Sequence, residues 1–201
     1  MTEADENDAH NIGRTKSLDQ MLSFYYGAMN AGKSATLLQM NYNYRERGKR
    51  TLLLIPEVVG KAIISSRIGL EADAIVVSDT SDIYALVADD TTCIFVDEAQ
   101  FLSTDQVLQL NNVSLKLEIN VICFGLRTDF QGKLFEGASA LFAIADDFKE
   151  LTTLCWCGNH ATMTLRVHDG IVVCDGPQLQ VGNNASYVSV CRQHWFERRI
   201  A

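Results

Sequence analysis

The chain has 201 residues, enough for one ordinary domain and a small accessory module. It is 47% hydrophobic and 21% charged, as expected of a globular protein that buries a core, and its net charge of −8 argues against bulk electrostatic binding to nucleic acid or anionic lipid. No apolar run reaches the roughly 18–20 residues that span a bilayer, and the acidic start MTEADENDAHN lacks a secretory pattern, so a cytoplasmic protein with no membrane and no nucleic-acid partner is expected.

Residues 1–20 are polar and aperiodic and read as a flexible N-terminal tail. Met21–Tyr26 then forms an apolar run expected to be a buried strand. The eight residues Gly27-Ala28-Met29-Asn30-Ala31-Gly32-Lys33-Ser34 fit G-x-x-x-x-G-K-[ST] without a gap. Glycines let backbone N–H groups converge on phosphate oxygens, and the helix that follows adds unpaired N–H groups and the positive end of its dipole. Lys33 is placed to reach the β- and γ-phosphates of ATP, and Ser34 to ligate magnesium. The helix is expected over Lys33–Arg47, with Gly48 as its C-terminal cap.

Further strands are expected at Thr51–Ile55, Ala74–Val77, Thr92–Val96 and Asn120–Phe124. Ser103 and Gln106 form a capping box that opens a helix through about Leu117. Apolar strands alternating with helices predict an α/β fold with a parallel sheet covered on both faces. Asp97 and Glu98 close the Thr92–Val96 run, where the carboxyl ends of parallel strands point into the ligand crevice. Asp97 suits magnesium. Glu98 is then free to take a proton from the oxygen that attacks the γ-phosphate, whether that oxygen belongs to water or to a hydroxyl.

After Leu151 the composition changes to cysteines and glycines among short strand-like runs. So small a module needs a staple. The six cysteines are expected to be reduced, buried or metal-bound. Cys155, Cys157, Cys191 and His194 make two ligand pairs of the type that holds zinc in a closed structural site, with His160, His168 and Cys174 as spare candidates. Cys93 and Cys123 lie inside apolar strands and read as core.

The stretches GAMNAGKS, SSRIGL (Ser65–Leu70), DEAQF (Asp97–Phe101), GLRTDFQGKLF (Gly125–Phe135), CWCG (Cys155–Gly158) and YVSVCRQH (Tyr187–His194) together resemble the type II thymidine kinases, in order and spacing, from about Met21 onward. The resemblance implies a RecA-like P-loop NTPase domain over 21–150 and a zinc-binding lasso domain over 151–201. It implies transfer of the γ-phosphoryl group of ATP to the 5′-hydroxyl of deoxythymidine, and of deoxyuridine, in pyrimidine salvage. Glu98 is then the catalytic base. The implied ATP site comprises Gly27, Ala28, Met29, Asn30, Ala31, Gly32, Lys33, Ser34, Asp97, Glu98, Ala99, Gln100 and Arg67. Met29, Phe101, Leu126, Phe130, Thr164, Gln178, Leu179, Gln180, Val181, Gly182 and Tyr187 are implied to border the nucleoside. The implied cofactors are Mg²⁺, held by Ser34 and Asp97, and structural Zn²⁺ on Cys155, Cys157, Cys191 and His194. The resemblance further implies a homotetramer and feedback inhibition by thymidine triphosphate. The chain departs from the family pattern at Ala35, at Gly182-Asn183 and in its long N-terminal tail.

Overall fold

The structure, a computed structural model, describes residues 21–178 and 186–201. The expected tail (1–20) and the positions Leu179, Gln180, Val181, Gly182 and Asn183 lie outside the described residues. The first part of the chain contributes strands β1 (Leu22–Gly27), β2 (Arg50–Pro56), β3 (Ile63–Ser65), β4 (Glu71–Asp73), β5 (Ile75–Val77), β6 (Thr91–Val96), β7 (Asn120–Leu126) and β8 (Asp147–Glu150). Three helices intervene: α1 (Lys33–Glu46), α2 (Thr104–Leu117) and α3 (Glu136–Ile144). Six strands form one sheet in the order β5-β2-β6-β7-β1-β8, and every pairing within it is parallel. β3 and β4 form a separate antiparallel hairpin.

Strand alternation splits the core in two. Leu53, Ile55, Cys93, Phe95, Ile122 and Phe124 pack with Leu37 and Leu38 of α1 on one face. Their neighbours Leu54, Ile94, Val96, Val121 and Cys123 pack with Val107, Leu110 and Val113 of α2 and Leu141 of α3 on the other. Successive side chains of a strand point to opposite faces, so apolar runs are what a doubly covered sheet requires. Both predicted helix boundaries have physical causes. Gly48, at φ 70, donates its N–H to the Arg45 carbonyl just past α1. At α2 the Ser103 hydroxyl accepts from the Gln106 N–H while the Gln106 side chain accepts from the Ser103 N–H.

Beyond Leu151 come a small hairpin, β9 (Thr153–Leu154) with β10 (His160–Ala161), and a three-stranded antiparallel sheet. That sheet holds β11 (Met163–His168), β12 (Ile171–Val173) and β13 (Ser186–Val190) in the order β12-β11-β13, and the helix α4 (Arg192–Glu197) follows it. Leu165 and Val190 pack into a small core with Cys155, Ala161 and Cys191. The alternate residues Thr164, Arg166, Tyr187 and Ser189 form a polar face. Ser189 donates to the Met29 carbonyl, so this face meets the loop 27–34. No helix among the described residues is long and apolar enough to cross a membrane.

Gly137, in the first turn of α3, lies against the backbone that follows β6. A Cβ there would sit 2.3 Å from the Ala99 carbonyl oxygen and 2.8 Å from that of Leu102. Helix propensity alone favours alanine over glycine by roughly 1 kcal/mol, but a collision with fixed backbone reverses the sign. Gly137→Ala is expected to destabilise the protein by about 1–3 kcal/mol in denaturant melts; a gain in stability would contradict the packing described.

Candidate active site

Because the main sheet is parallel, the carboxyl ends of β1, β6 and β7 open on the same edge. β1 runs into the loop 27–34, β6 into Asp97 and Glu98, and β7 ends at Leu126. A cleft of about 310 Å³ forms there, lined by Met29, Asn30, Gly32, Lys33, Ser34, Ala35, Ser65, Ser66, Arg67, Ile68, Glu98 and Leu126. The fold therefore brings together residues far apart in sequence that were expected to share one site: Lys33, Ser34, Arg67, Glu98, Met29 and Leu126.

The loop's shape depends on two residues in the left-handed region, Asn30 (φ 64) and Gly32 (φ 76). Glycine adopts that region freely, and asparagine tolerates it better than most residues. Gly27 is fixed by proximity instead, since a Cβ would meet the Leu151 carbonyl oxygen at 2.3 Å. Lys33 is buried, and its ammonium donates to the Ala28 carbonyl at 2.9 Å. Burial pulls its pKa below the usual lysine range, against the raising influence of the Glu98 and Asp97 charges.

Ser34 Oγ donates to Asp97 Oδ2 at 2.7 Å. The other oxygen, Asp97 Oδ1, is buried without a hydrogen-bond partner. Burial first and the Glu98 charge second raise the Asp97 carboxyl to about 6, although the Ser34 hydroxyl and the charge of Lys33 act the other way. An unmet buried carboxylate oxygen beside a serine hydroxyl is a donor set that fits a hard divalent cation such as magnesium.

Glu98 has φ 51, an unusual backbone state for a glutamate and one associated with functional strain. Its carboxylate accepts a 2.6 Å hydrogen bond from Gln100 Nε2, while Gln100 Oε1 accepts the Leu126 N–H at 2.9 Å. Gln100 thus ties the end of β6 to the end of β7 from below, rather than lining the cleft. Gly125 permits this, since a Cβ there would lie 2.7 Å from Gln100 Oε1. Ala99 is fully buried, and Phe101 packs edge-on to Phe135 at 5.5 Å, so both lie beneath the cleft.

The other expected nucleoside residues gather where the small sheet meets the main one. Phe130, Thr164, Gln178 and Tyr187 sit around Arg166, which is fully buried. Sequence reading left out Arg166, Asp129, Ser189 and Trp195, all of which join the two sheets. The available signal was the alternation in Thr164-Leu165-Arg166-Val167, which sets an arginine on the polar face of an otherwise apolar strand.

The ligand atoms of Cys155, Cys157, Cys191 and His194 all lie within 4.8 Å of one another. His194 Nδ1 is 3.3 Å from Cys155 Sγ and 3.4 Å from Cys191 Sγ, and the Cys157 and Cys191 sulfurs are 4.0 Å apart. Zinc–sulfur bonds of about 2.3 Å in a tetrahedron set edges of roughly 3.7 Å, so the set fits zinc. Burial pushes the Cys155 thiol up, but the Cys157 and Cys191 amides and the His194 ring outweigh it and bring it down to about 6, ready to bind as thiolate. Trp156 stacks on the His194 ring at 4.2 Å and fixes its orientation. The spare candidates His160, His168 and Cys174 are outside this group.

Comparison with known proteins gives a consistent family. The family model described as thymidine kinase matches residues 20–195. The chain is 52% identical over 185 residues to a thymidine kinase of Mesorhizobium japonicum, covering 88% of this chain and 91% of that one. It is 50% identical to thymidine kinases of Rhodopirellula baltica, covering 88% of each chain, and of Pasteurella multocida, covering 88% of this chain and 97% of that one. Among solved structures, a Pif1 helicase from Candida albicans has a TM-score of 0.42 at 14% identity, over 66% of this chain and 36% of the helicase, which is too loose to support an inference.

The buried carboxylate has a measurable signature. Asp97 keeps its proton to about pH 6 in the folded protein, against 3.8 ordinarily. Between those values the native state holds the extra proton, so metal-free protein loses stability as pH rises through the window. Asp97→Asn removes that loss. Its stability relative to wild type should climb by up to about 3 kcal/mol between pH of about 4 and about 7, and a difference that stays flat across this range would contradict the assignment.

Proposed function

Because the chain belongs to the thymidine kinase family, we propose that it transfers the γ-phosphoryl group of ATP to the 5′-hydroxyl of deoxythymidine through the cleft at the carboxyl edge of its parallel sheet. One observation carries this reading: Lys33, Ser34, Arg67 and Glu98 line the same cleft. The amides of residues 27–34 and the start of α1 cradle the phosphates, and Lys33 exchanges its bond to Ala28 for the β- and γ-phosphate oxygens. Arg67, in the turn between β3 and β4, adds a second positive charge. Ser34 and the unpartnered oxygen of Asp97 would hold magnesium, which would neutralise phosphate charge.

In the reaction the 5′-oxygen attacks the γ-phosphorus as the bond to the β–γ bridging oxygen breaks. Glu98 takes the hydroxyl proton, and the electron pair of the broken bond leaves with ADP. Gln100 holds the Glu98 carboxylate from one side and so leaves its other oxygen free for the nucleoside. Met29 and Leu126 border the nucleoside from the cleft. Phe101 backs them, and Phe130, Thr164, Gln178 and Tyr187 approach from the small sheet. Leu179, Gln180, Val181 and Gly182 are proposed as further nucleoside-binding residues on the family resemblance alone.

We further propose that Ala28, Asn30, Ala31 and Ala99 serve the ATP site through backbone shape, that 21–150 and 151–201 are separate domains, and that deoxyuridine is a second substrate. A homotetrameric, cytoplasmic enzyme acting in pyrimidine salvage and inhibited by thymidine triphosphate completes the reading. Zinc on Cys155, Cys157, Cys191 and His194 is structural, since four protein ligands leave no open position.

Two measurements test these assignments. Glu98→Gln should lower thymidine-dependent ADP release by about 10²–10⁴-fold while ATP affinity changes little; an equal loss of ATP binding, or full ATP hydrolysis without thymidine, would reject the role. Elemental analysis should find one zinc per chain, and Cys191→Ser should release it and lower the melting temperature. Metal content unchanged by that substitution would exclude the four-residue site.

A further inference from the structure

Arg166 is 1% exposed and heads the largest fully buried side chains of the described residues. Its guanidinium carbon lies 3.8 Å from the centroid of the Phe130 ring and 5.4 Å from that of Tyr187. Nε donates to the Tyr187 hydroxyl at 3.1 Å, and Nη2 donates to the carbonyl oxygens of Pro177 and Gln178 at 2.9 and 3.1 Å. Among the described residues, no carboxylate forms an ion pair with it.

A buried cation is costly, and two aromatic faces with three oxygen acceptors offset that cost here. Mere filling of the space between two rings is done as well by an apolar side chain. What arginine alone supplies is a planar fork whose donors point in fixed, different directions. One direction holds Tyr187, the register partner of Arg166 across β11 and β13. The other holds Pro177 and Gln178. Gln178 in turn donates to Asp129 Oδ2 at 3.0 Å, next to Phe130, whose carbonyl accepts the Trp195 indole N–H at 3.0 Å. Arg166 itself is absent from the lining of the phosphate cleft.

We propose that Arg166 is a positioning residue for the nucleoside: by fixing Gln178 and Tyr187 against Phe130 it sets affinity for thymidine while leaving the ATP site alone. The proposal rests on the kinase reading above. Its test is a steady-state comparison of wild type with Arg166→Met, Arg166→Lys and Tyr187→Phe, varying thymidine and ATP separately and recording melting temperature and zinc content.

Both Arg166 substitutions should raise the thymidine KM on the order of 10- to 100-fold, with kcat, ATP KM and zinc content within about twofold of wild type. Lysine keeps the charge but not the fork, so its failure to rescue assigns the effect to geometry. Tyr187→Phe should move the thymidine KM the same way by a smaller factor. An unchanged thymidine KM in the Arg166 variants overturns the proposal, as does a parallel rise in thymidine and ATP KM that follows the melting temperature. If Arg166→Met does not fold, Arg166→Lys and Tyr187→Phe decide in the same way. Wild-type protein without thymidine-stimulated ADP release would reject the kinase reading instead, before any variant is compared.

Discussion

A buried carboxylate with half of its bonding capacity unmet stands at the centre of this fold. Asp97 receives the Ser34 hydroxyl on one oxygen and nothing on the other. The Ser34 bond ties the first turn of α1 to the end of β6, two segments separated by 63 residues. The unpartnered Oδ1 is a cost to the ligand-free fold, because burying a polar atom without a hydrogen bond is destabilising. Asp97 therefore keeps one oxygen open to a cation, a proton or another hydrogen-bond donor, beside the cleft that Lys33, Ser34 and Glu98 line.

The two sheets meet through directional contacts rather than a shared apolar core. Ser189 reaches the Met29 carbonyl, Trp195 the Phe130 carbonyl and Arg127 the Thr162 carbonyl. Each joins a side chain of one part to a backbone carbonyl of the other, so the contact specifies an orientation more than it contributes burial. The small sheet keeps its own apolar side for the cluster around Cys155, Leu165 and Val190.

Much of this was legible in the sequence, for reasons that can be named. The apolar runs at 92–96 and 120–124 read as strands because both their faces are buried, and Ser103 with Gln106 carried the start of α2 in their side chains. The Cys/His cluster was legible because its chemistry allows few residue types at close spacing. α3 was not expected: it begins after Phe135 with no capping side chain and has Gly137 in its first turn, so Glu136 is its one start signal. β8 is an exposed edge strand, Asp-Phe-Lys-Glu, with no apolar run to announce it. β3 and β4 have three residues each, too few for alternation to show. Arg166 escaped because strand alternation shows only which face it occupies, whereas its partners Phe130, Pro177, Gln178 and Tyr187 are distant in sequence.

The spacing of the Cys/His set also orders events in time. Every strand of the parallel sheet lies before Leu151, whereas the four metal-binding side chains are divided between positions 155–157 and 191–194. Chains are made from the N-terminus and their units form in that direction. A growing polypeptide thus has every strand of the parallel sheet while its thiols at 155 and 157 still await their distant counterparts. During that interval the chain carries only half of the clustered Cys/His set.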